Sequence, residues 1–242
     1  MSFAWFAYKQ IVKRNLLLFL LFVFIAFSFH NSAIVVLPVW FIPNHKFNKH
    51  FIWLVFAVVI AIGLTSVPSS LFEVYSAVAD DEGRAAVYAD EFDAGTFRWE
   101  YLLEATFFLA IIHANYEKIP NTPKNIVLCN VAIFFCYILA FFVRSSNGGR
   151  LGWYYMIGII ATLTTILIQP GVKRVAKHMM YMVCFVLYFR ILFYWSSSLF
   201  PYKSFLSEGH RDGDPIFGEY EYDMEYDIDK FYRPAFVLFK KE

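Results

Sequence analysis

The chain has 242 residues, 59% of them hydrophobic and 21% aromatic, with only 17% charged and a formal net charge of +1. Soluble domains carry about a quarter charged residues, so this composition points to an integral membrane protein of the helical kind. A near-zero net charge excludes the broad basic field of a nucleic-acid partner, and apolar runs without period-two alternation exclude a β-barrel.

The expected fold class is all-α: a polytopic helical membrane protein with five or six spans over residues 1–200 and a non-membrane tail at 201–242. The first eight residues, MSFAWFAY, end against Lys9, Lys13 and Arg14. Eight residues cannot cross about 30 Å of hydrocarbon, so they read as the last turns of a helix whose first half is missing, or else as a short interfacial helix. Met1–Val12 lacks the basic n-region and small-residue cleavage site of a signal peptide.

Leu16–Ile42 follows, 27 residues, long for one span and short for two. Inside it lies Phe29-His30-Asn31-Ser32-Ala33, polar in the middle of an apolar run. Asn and Ser are strong helix N-cap residues. The expectation is a broken or re-entrant helix near residues 28–33, with Asn31 and Ser32 opening a second half-helix. Such a terminus carries partial positive charge and suits an anion. The plain alternative is one continuous span whose His30 and Ser32 bond a neighbouring helix.

Residues 51–72 read as a span. The acid-rich stretch of about 73–100 reads as an extramembrane loop, and Tyr101–Asn115 as a short span carrying Glu104 and His113. Ile126–Val143, Leu151–Gln169 and Met179–Phe200 complete the set. Arg190 interrupts the last of these. A charge near mid-bilayer costs at least about 2.5–3.5 kcal/mol on insertion scales, so Arg190 is expected to face Glu104, His113 or a wet cavity. Its fork of donors also fits a phosphate. Between two spans, Arg144-Ser145-Ser146-Asn147-Gly148-Gly149-Arg150 could clamp a diphosphate or a sugar acid. Arginines there are equally orientation anchors, with Trp153-Tyr154-Tyr155 as interfacial aromatics. Cys129, Cys136 and Cys184 read as small buried hydrophobes, since no paired spacing is present. In the tail, nine acids between Ser207 and Asp229 meet one Arg, with glycines and a proline against a long helix. The run DMEYDID at 223–229 lacks the glycine and terminal glutamate of a calcium loop. Orientation stays open, because the basic clusters at 13–14 and 173–177 share a face only if the broken segment returns to its starting side.

In chain order these residues resemble the C-terminal part of the EpsG family, the Wzy-type polymerases of exopolysaccharide and O-antigen synthesis. The resemblance is carried by Phe29, His30, Ser32 and Ala33 ahead of LPVWF, and by Arg144, Arg150 and Tyr154-Tyr155. The tail PYKSFLSEGHRDGD is also similar to those of some members. Family members are longer, with further spans and an Arg-Gln pair ahead of the stretch equivalent to MSFAWFAYKQIV, which this chain lacks.

The resemblance implies glycosyl transfer at the inner (cytoplasmic) membrane, joining lipid-diphosphate-linked oligosaccharide repeats into polymer. The implied partners are undecaprenyl-diphosphate-linked oligosaccharide, membrane lipid, and polysaccharide export or chain-length proteins, with no nucleic acid. Neither a cofactor nor a metal is expected. His30, Glu104 and His113 are the candidate catalytic residues, and Asn31, Ser32, Arg144, Arg150 and Arg190 the candidate substrate-binding ones. A transporter or flippase for polysaccharide precursors and a membrane acyltransferase are the competing readings.

Overall fold

The computed structural model describes residues 2–71, 96–145, 148–172 and 174–194. The expected loop at 73–100, for the most part, and the tail at 201–242 lie outside them. The described residues are helical, with no strand. They fall into two units divided between Val172 and Lys173.

In the first unit, α1 spans Ser2–Lys13 and α2 spans Leu16–Phe29. Asn15 caps α2, its side chain accepting from Leu18 N at 3.1 Å. The two helices run antiparallel: Phe3 stacks on Phe29 with ring centroids 5.7 Å apart, and Phe6 on Phe22 at 5.9 Å.

At His30 the backbone becomes extended (φ −159°, ψ 119°) and α2 stops. The chain resumes as a 3-10 helix over Asn31–Phe41, eleven residues with Pro38 inside. It runs back along α2. Phe19 meets Trp40 at 5.2 Å, and the Arg14 guanidinium donates to Ile42 O at 2.9 Å and Trp40 O at 3.3 Å. Runs of 3-10 helix beyond three or four residues are uncommon. Here the tighter helix solves a length problem. Fourteen residues of α2 rise about 21 Å, and eleven residues at the steeper 3-10 rise cover about 22 Å. The return leg therefore ends level with the start of α2. The break within 28–33 is present, and the segment is a helical hairpin.

α3 spans Lys49–Gly63, capped by Asn48, whose side chain accepts from His50 N at 2.8 Å. α4 spans Trp99–Asn115, and α5 spans Pro123–Phe141, with Thr122 as cap and proline at its first turn. A short α6 over Gly148–Gly152 leads through a turn into α7, Met156–Ile168. The expected span Leu151–Gln169 is thus cut in its first turns. The expected span at 51–72 likewise ends at Gly63.

α5 is the hub. Its buried face includes Val127, Cys129, Ile133, Cys136 and Leu139. On α7, a Cβ on Gly158 would come within 2.5 Å of Ala132 N and 2.8 Å of Val131 C, so the two backbones touch. α3 joins through Tyr137, whose hydroxyl donates to Ile52 O at 2.9 Å, and α4 through Phe108 edge-on to Phe135 at 6.1 Å. Among the described residues α5 is the one helix both long and apolar enough to cross a membrane, while α2, α3, α7 and the 3-10 leg are shorter apolar helices.

In the second unit, α8 spans Arg174–Tyr194. It carries Cys184 exposed, which corrects the expectation of three buried cysteines; Cys129 and Cys136 are buried. All three sit in equally apolar sequence, and only packing separates them.

Where α3 begins and α4 ends, Lys49 Nζ lies 3.0 Å from Glu117. This hydrogen bond and the charge behind it hold the Glu117 carboxyl below its usual range. A carboxyl depressed in the folded state contributes stability above its unfolded pKa, and that contribution is lost as pH falls through the folded value. Lys49→Met should therefore move the Glu117 titration up toward the ordinary range, with Lys46 still lowering it, read by NMR of the labelled side chain; an unchanged curve would show that the pair does not form.

Gly158→Ala should cost about 1–3 kcal/mol, the range for overpacking a close contact, and lower the thermal midpoint of the purified protein. Gly171→Ala meets no atom within 4 Å and strains only a φ of +79°. It should cost about 1 kcal/mol, the penalty for a left-handed non-glycine.

Candidate functional site

The break is held by residues far away in sequence. His30 is itself the cap of the 3-10 leg: its Nδ1 accepts from Ser32 N at 3.3 Å. The role expected of Asn31 and Ser32 falls to their neighbour, because an extended His30 folds its ring back over the first turn. Ser32 Oγ lies 2.8 Å from the same Nδ1 and 2.9 Å from the Tyr154 hydroxyl, 122 residues on. Tyr154 is fixed in turn. Its carbonyl accepts from the Tyr8 hydroxyl at 2.8 Å and from the Trp5 indole at 3.1 Å, both on α1.

Tyr155 supplies the second hold. In a 3-10 helix the carbonyl of residue i accepts from the amide of i+3. Val35 would accept from residue 38, which is proline and has no N–H. The Tyr155 hydroxyl donates to Val35 O instead. The tyrosine pair thus grips two points one 3-10 turn apart, Tyr154 at the polar start and Tyr155 at the orphaned carbonyl. Tyr154 and Tyr155 are only 5% and 1% exposed, so neither is an interfacial anchor. Their adjacency to the arginine-glycine turn was the sequence signal for them. Trp5 and Tyr8 gave none.

The turn at 153–155 is set at depth by glycines. A Cβ on Gly152 would approach Phe135 to 3.2 Å, and Gly158 abuts Val131 and Ala132. Phe135 is six residues before the end of α5, so the junction lies roughly 9 Å inside that end. Gly148 and Gly149 pack on Tyr101 of α4, where added Cβ atoms would come to 3.0 Å from its ring and 3.1 Å from its hydroxyl. The glycine-rich turn is thereby a close-packed joint between α4 and α6.

The remaining candidates are distributed. Arg144 Nη1 reaches Leu64 O at 3.5 Å, at the end of the bundle where α3 and α5 finish. Arg150 is exposed on α6, one helical turn ahead of Tyr154. Glu104 is half-buried on α4, one turn before Phe108, whose ring meets Phe135. It therefore stands at a level of α5 near that of the junction. His113 lies further along α4 and accepts from the Trp53 indole at 3.0 Å, toward the opposite end. The contacts place His30 and Ser32 together, and His113 with Trp53. The side chains of Asn31 and Arg190 lie outside the described residues. Among the described residues no group of three or more His, Cys, Asp or Glu could hold a metal ion.

A second buried polar contact pins the far end of the hairpin. Asn130, fully buried on α5, donates from Nδ2 to Pro43 O at 3.0 Å and His45 O at 3.1 Å. The hairpin is therefore bonded at its tip by α6–α7 and at its mouth by α5 and Arg14.

A family model, described as the EpsG family, matches residues 1–204. The chain belongs to the EpsG family. No curated protein and no solved structure matches it. The EpsG match stops short of the tail from residue 205, and it contains every residue of the junction.

Tyr155→Phe should destabilise the protein by about 1–3 kcal/mol, the cost of leaving a buried carbonyl unpaired. In a Pro38→Ala background residue 38 regains its amide and the same change should cost less. The two effects should couple by at least about 0.5 kcal/mol in a double-mutant cycle of chemical unfolding. Strict additivity would show that Tyr155 does not serve the carbonyl that Pro38 orphans.

Proposed function

We propose that this EpsG protein polymerises lipid-diphosphate-linked oligosaccharide repeats, by glycosyl transfer in the cytoplasmic membrane, in exopolysaccharide or O-antigen synthesis. Family membership supports an exopolysaccharide polymerase role. The observation that carries the reading is the chain reversal at His30. Irregular backbone inside an apolar layer is tolerated where protein or a wet cavity surrounds it, and such breaks serve bound polar substrates. The surroundings are apolar: Leu17, Phe24, Phe29 and Phe41 are 81%, 67%, 78% and 84% exposed. A water-facing surface this greasy is rare on a soluble monomer, and a multi-pass membrane setting accounts for it.

In this reaction the acceptor hydroxyl oxygen bonds to the anomeric carbon of the donor sugar. The bond from that carbon to the diphosphate oxygen breaks, and the lipid diphosphate leaves. Cationic and hydrogen-bonding groups must meet the leaving group, and a base must take the hydroxyl proton. Arg150, one turn from the junction, and Arg144 and Arg190 are the cations proposed for the diphosphate. Asn31 and Ser32 are proposed to bind the substrate alongside them. Of the three base candidates, His30 and His113 each accept a hydrogen bond at Nδ1. A neutral ring bonded in this way carries its proton on Nε2, and Glu104 is the third candidate alongside the two histidines.

The test uses chromosomal Arg144→Ala, Arg150→Ala and Arg190→Ala variants in the organism that carries the gene, with surface glycan sized on gels. Each should cut long polymer at least tenfold and leave single-repeat glycan on the surface. Complete loss of surface glycan would indicate a flippase instead, and unchanged chain length with altered acylation an acyltransferase. Polymers of normal length in all three variants would remove the diphosphate clamp from the reading.

A further inference from the structure

We propose that Tyr154 is a positioning residue: through Ser32 it holds His30 as the neutral tautomer with its proton on Nε2, so that His30 presents a hydrogen-bond donor to an anionic oxygen of the substrate. The inference rests on the reading of the junction as the polymerase site.

The proton directions follow from the geometry. Ser32 N–H can only donate, and it points at His30 Nδ1 from 3.3 Å. At 3.3 Å this contact favours an acceptor at Nδ1 without fixing it alone, and the shorter hydroxyl contact decides for the neutral ring with its proton on Nε2. Ser32 Oγ, 2.8 Å from the same nitrogen, then donates its own proton there. This leaves the Ser32 oxygen as an acceptor, a role matched by the Tyr154 hydroxyl at 2.9 Å. The relay runs one way, from Tyr154 O–H to Ser32 O–H to His30 Nδ1. Its source is anchored, because Tyr154 is buried and its carbonyl is held by Tyr8 and Trp5.

The relay also decides what the break can offer a ligand. Ser32 N is bonded to His30 Nδ1, and Ala33 N donates to His30 O at 3.0 Å. Two amides of the first turn are thus committed within the chain. The His30 ring is exposed, and its Nε2–H faces away from the bonded edge. A single outward donor beside Arg150's turn suits a non-bridging oxygen of a phosphate ester, and does not suit abstraction of a hydroxyl proton. The second histidine nitrogen is commonly assigned by what the first one bonds, and here the assignment reaches across 122 residues.

The test reads the tautomer directly. The full chain, with nitrogen-15 in its histidines, is placed in lipid nanodiscs, and the His30 signal is assigned by its loss in His30→Gln. The wild type should show a neutral ring protonated on Nε2. Tyr154→Phe keeps the ring and removes the donor, freeing Ser32 Oγ to accept, and should shift His30 toward the Nδ1–H form. Ser32→Ala removes the relay without touching Tyr154 and should also raise the Nδ1–H population, while Ser32→Thr restores the hydroxyl and the wild-type spectrum. In cells, Tyr154→Phe and Ser32→Ala should lower long polymer about fivefold or more, equivalent to losing one hydrogen bond of about 1 kcal/mol, with Ser32→Thr rescuing it. A wild-type ring protonated on Nδ1, or a tautomer indifferent to Tyr154→Phe and Ser32→Ala, overturns the inference and leaves the polymerase reading standing. The expected tautomers in a protein whose deletion leaves polymer length unchanged would uphold the relay and sink the polymerase role.

Discussion

A chain that turns back inside an apolar bundle must find partners for its own amides and carbonyls, and every other feature of the first unit follows from that constraint. An unpaired backbone group away from water costs about as much as a lost hydrogen bond. The reversal at His30 exposes the ends of two helices, and Pro38 orphans a carbonyl in the return leg. Each is answered. The His30 ring caps the leg, Tyr155 takes Val35 O, and Arg14 takes the carbonyls of Trp40 and Ile42 at the mouth. Arg14 sits in the left-handed region at φ +51°. That conformation is uncommon for a side chain with a Cβ, and the tight corner between α1 and α2 that requires it also brings the guanidinium over the Trp40 ring, 6.0 Å from its centroid.

The same constraint explains why glycines gather on α6 and α7. A tyrosine hydroxyl reaches the 3-10 leg only if the turn carrying it rides close to α5. Gly152 and Gly158 bracket that turn and let the backbones meet. Filling either position would push Tyr154 and Tyr155 outward together. Packing against α5 and hydrogen bonding at the break are thus one mechanical arrangement, in which the stiffness of the hub is handed to an exposed histidine. A site built this way owes its geometry to helices rather than to loops, which holds its side chains more closely.

Much of this was legible in the residues. His30-Asn31-Ser32 inside an apolar run announces an interruption, since polar residues at that depth have to do something. The cap itself was misplaced by one residue, because propensity favours Asn and Ser while the observed cap needs the longer reach of an imidazole from extended backbone. Tyr154 and Tyr155 look like interfacial aromatics when read beside Trp153. Burial separates them from it, and burial depends on glycine contacts that no periodicity reports. Leu151–Gln169 scores as one apolar span for the same reason. The α6–α7 turn contains no strong breaker after Gly152, and the chain bends there to serve α1 and the 3-10 leg.

The sequence by itself determined an all-helical, apolar chain, its family, and the place where one long segment breaks. Those properties are written in composition, in runs, and in residues a few positions apart. Tertiary structure decided which direction the chain takes after the break, which atoms satisfy it, and which nitrogen of His30 is left to face outward. The His30 cap itself is a bond two positions long, but the holds on the return leg join residues 26 to 149 positions apart, and hydrogen-bond partners at such separation leave no local pattern. The physical reason is that an orphaned carbonyl can be foreseen from Pro38, whereas the hydroxyl that meets it exists only once α5 has drawn α7 against itself.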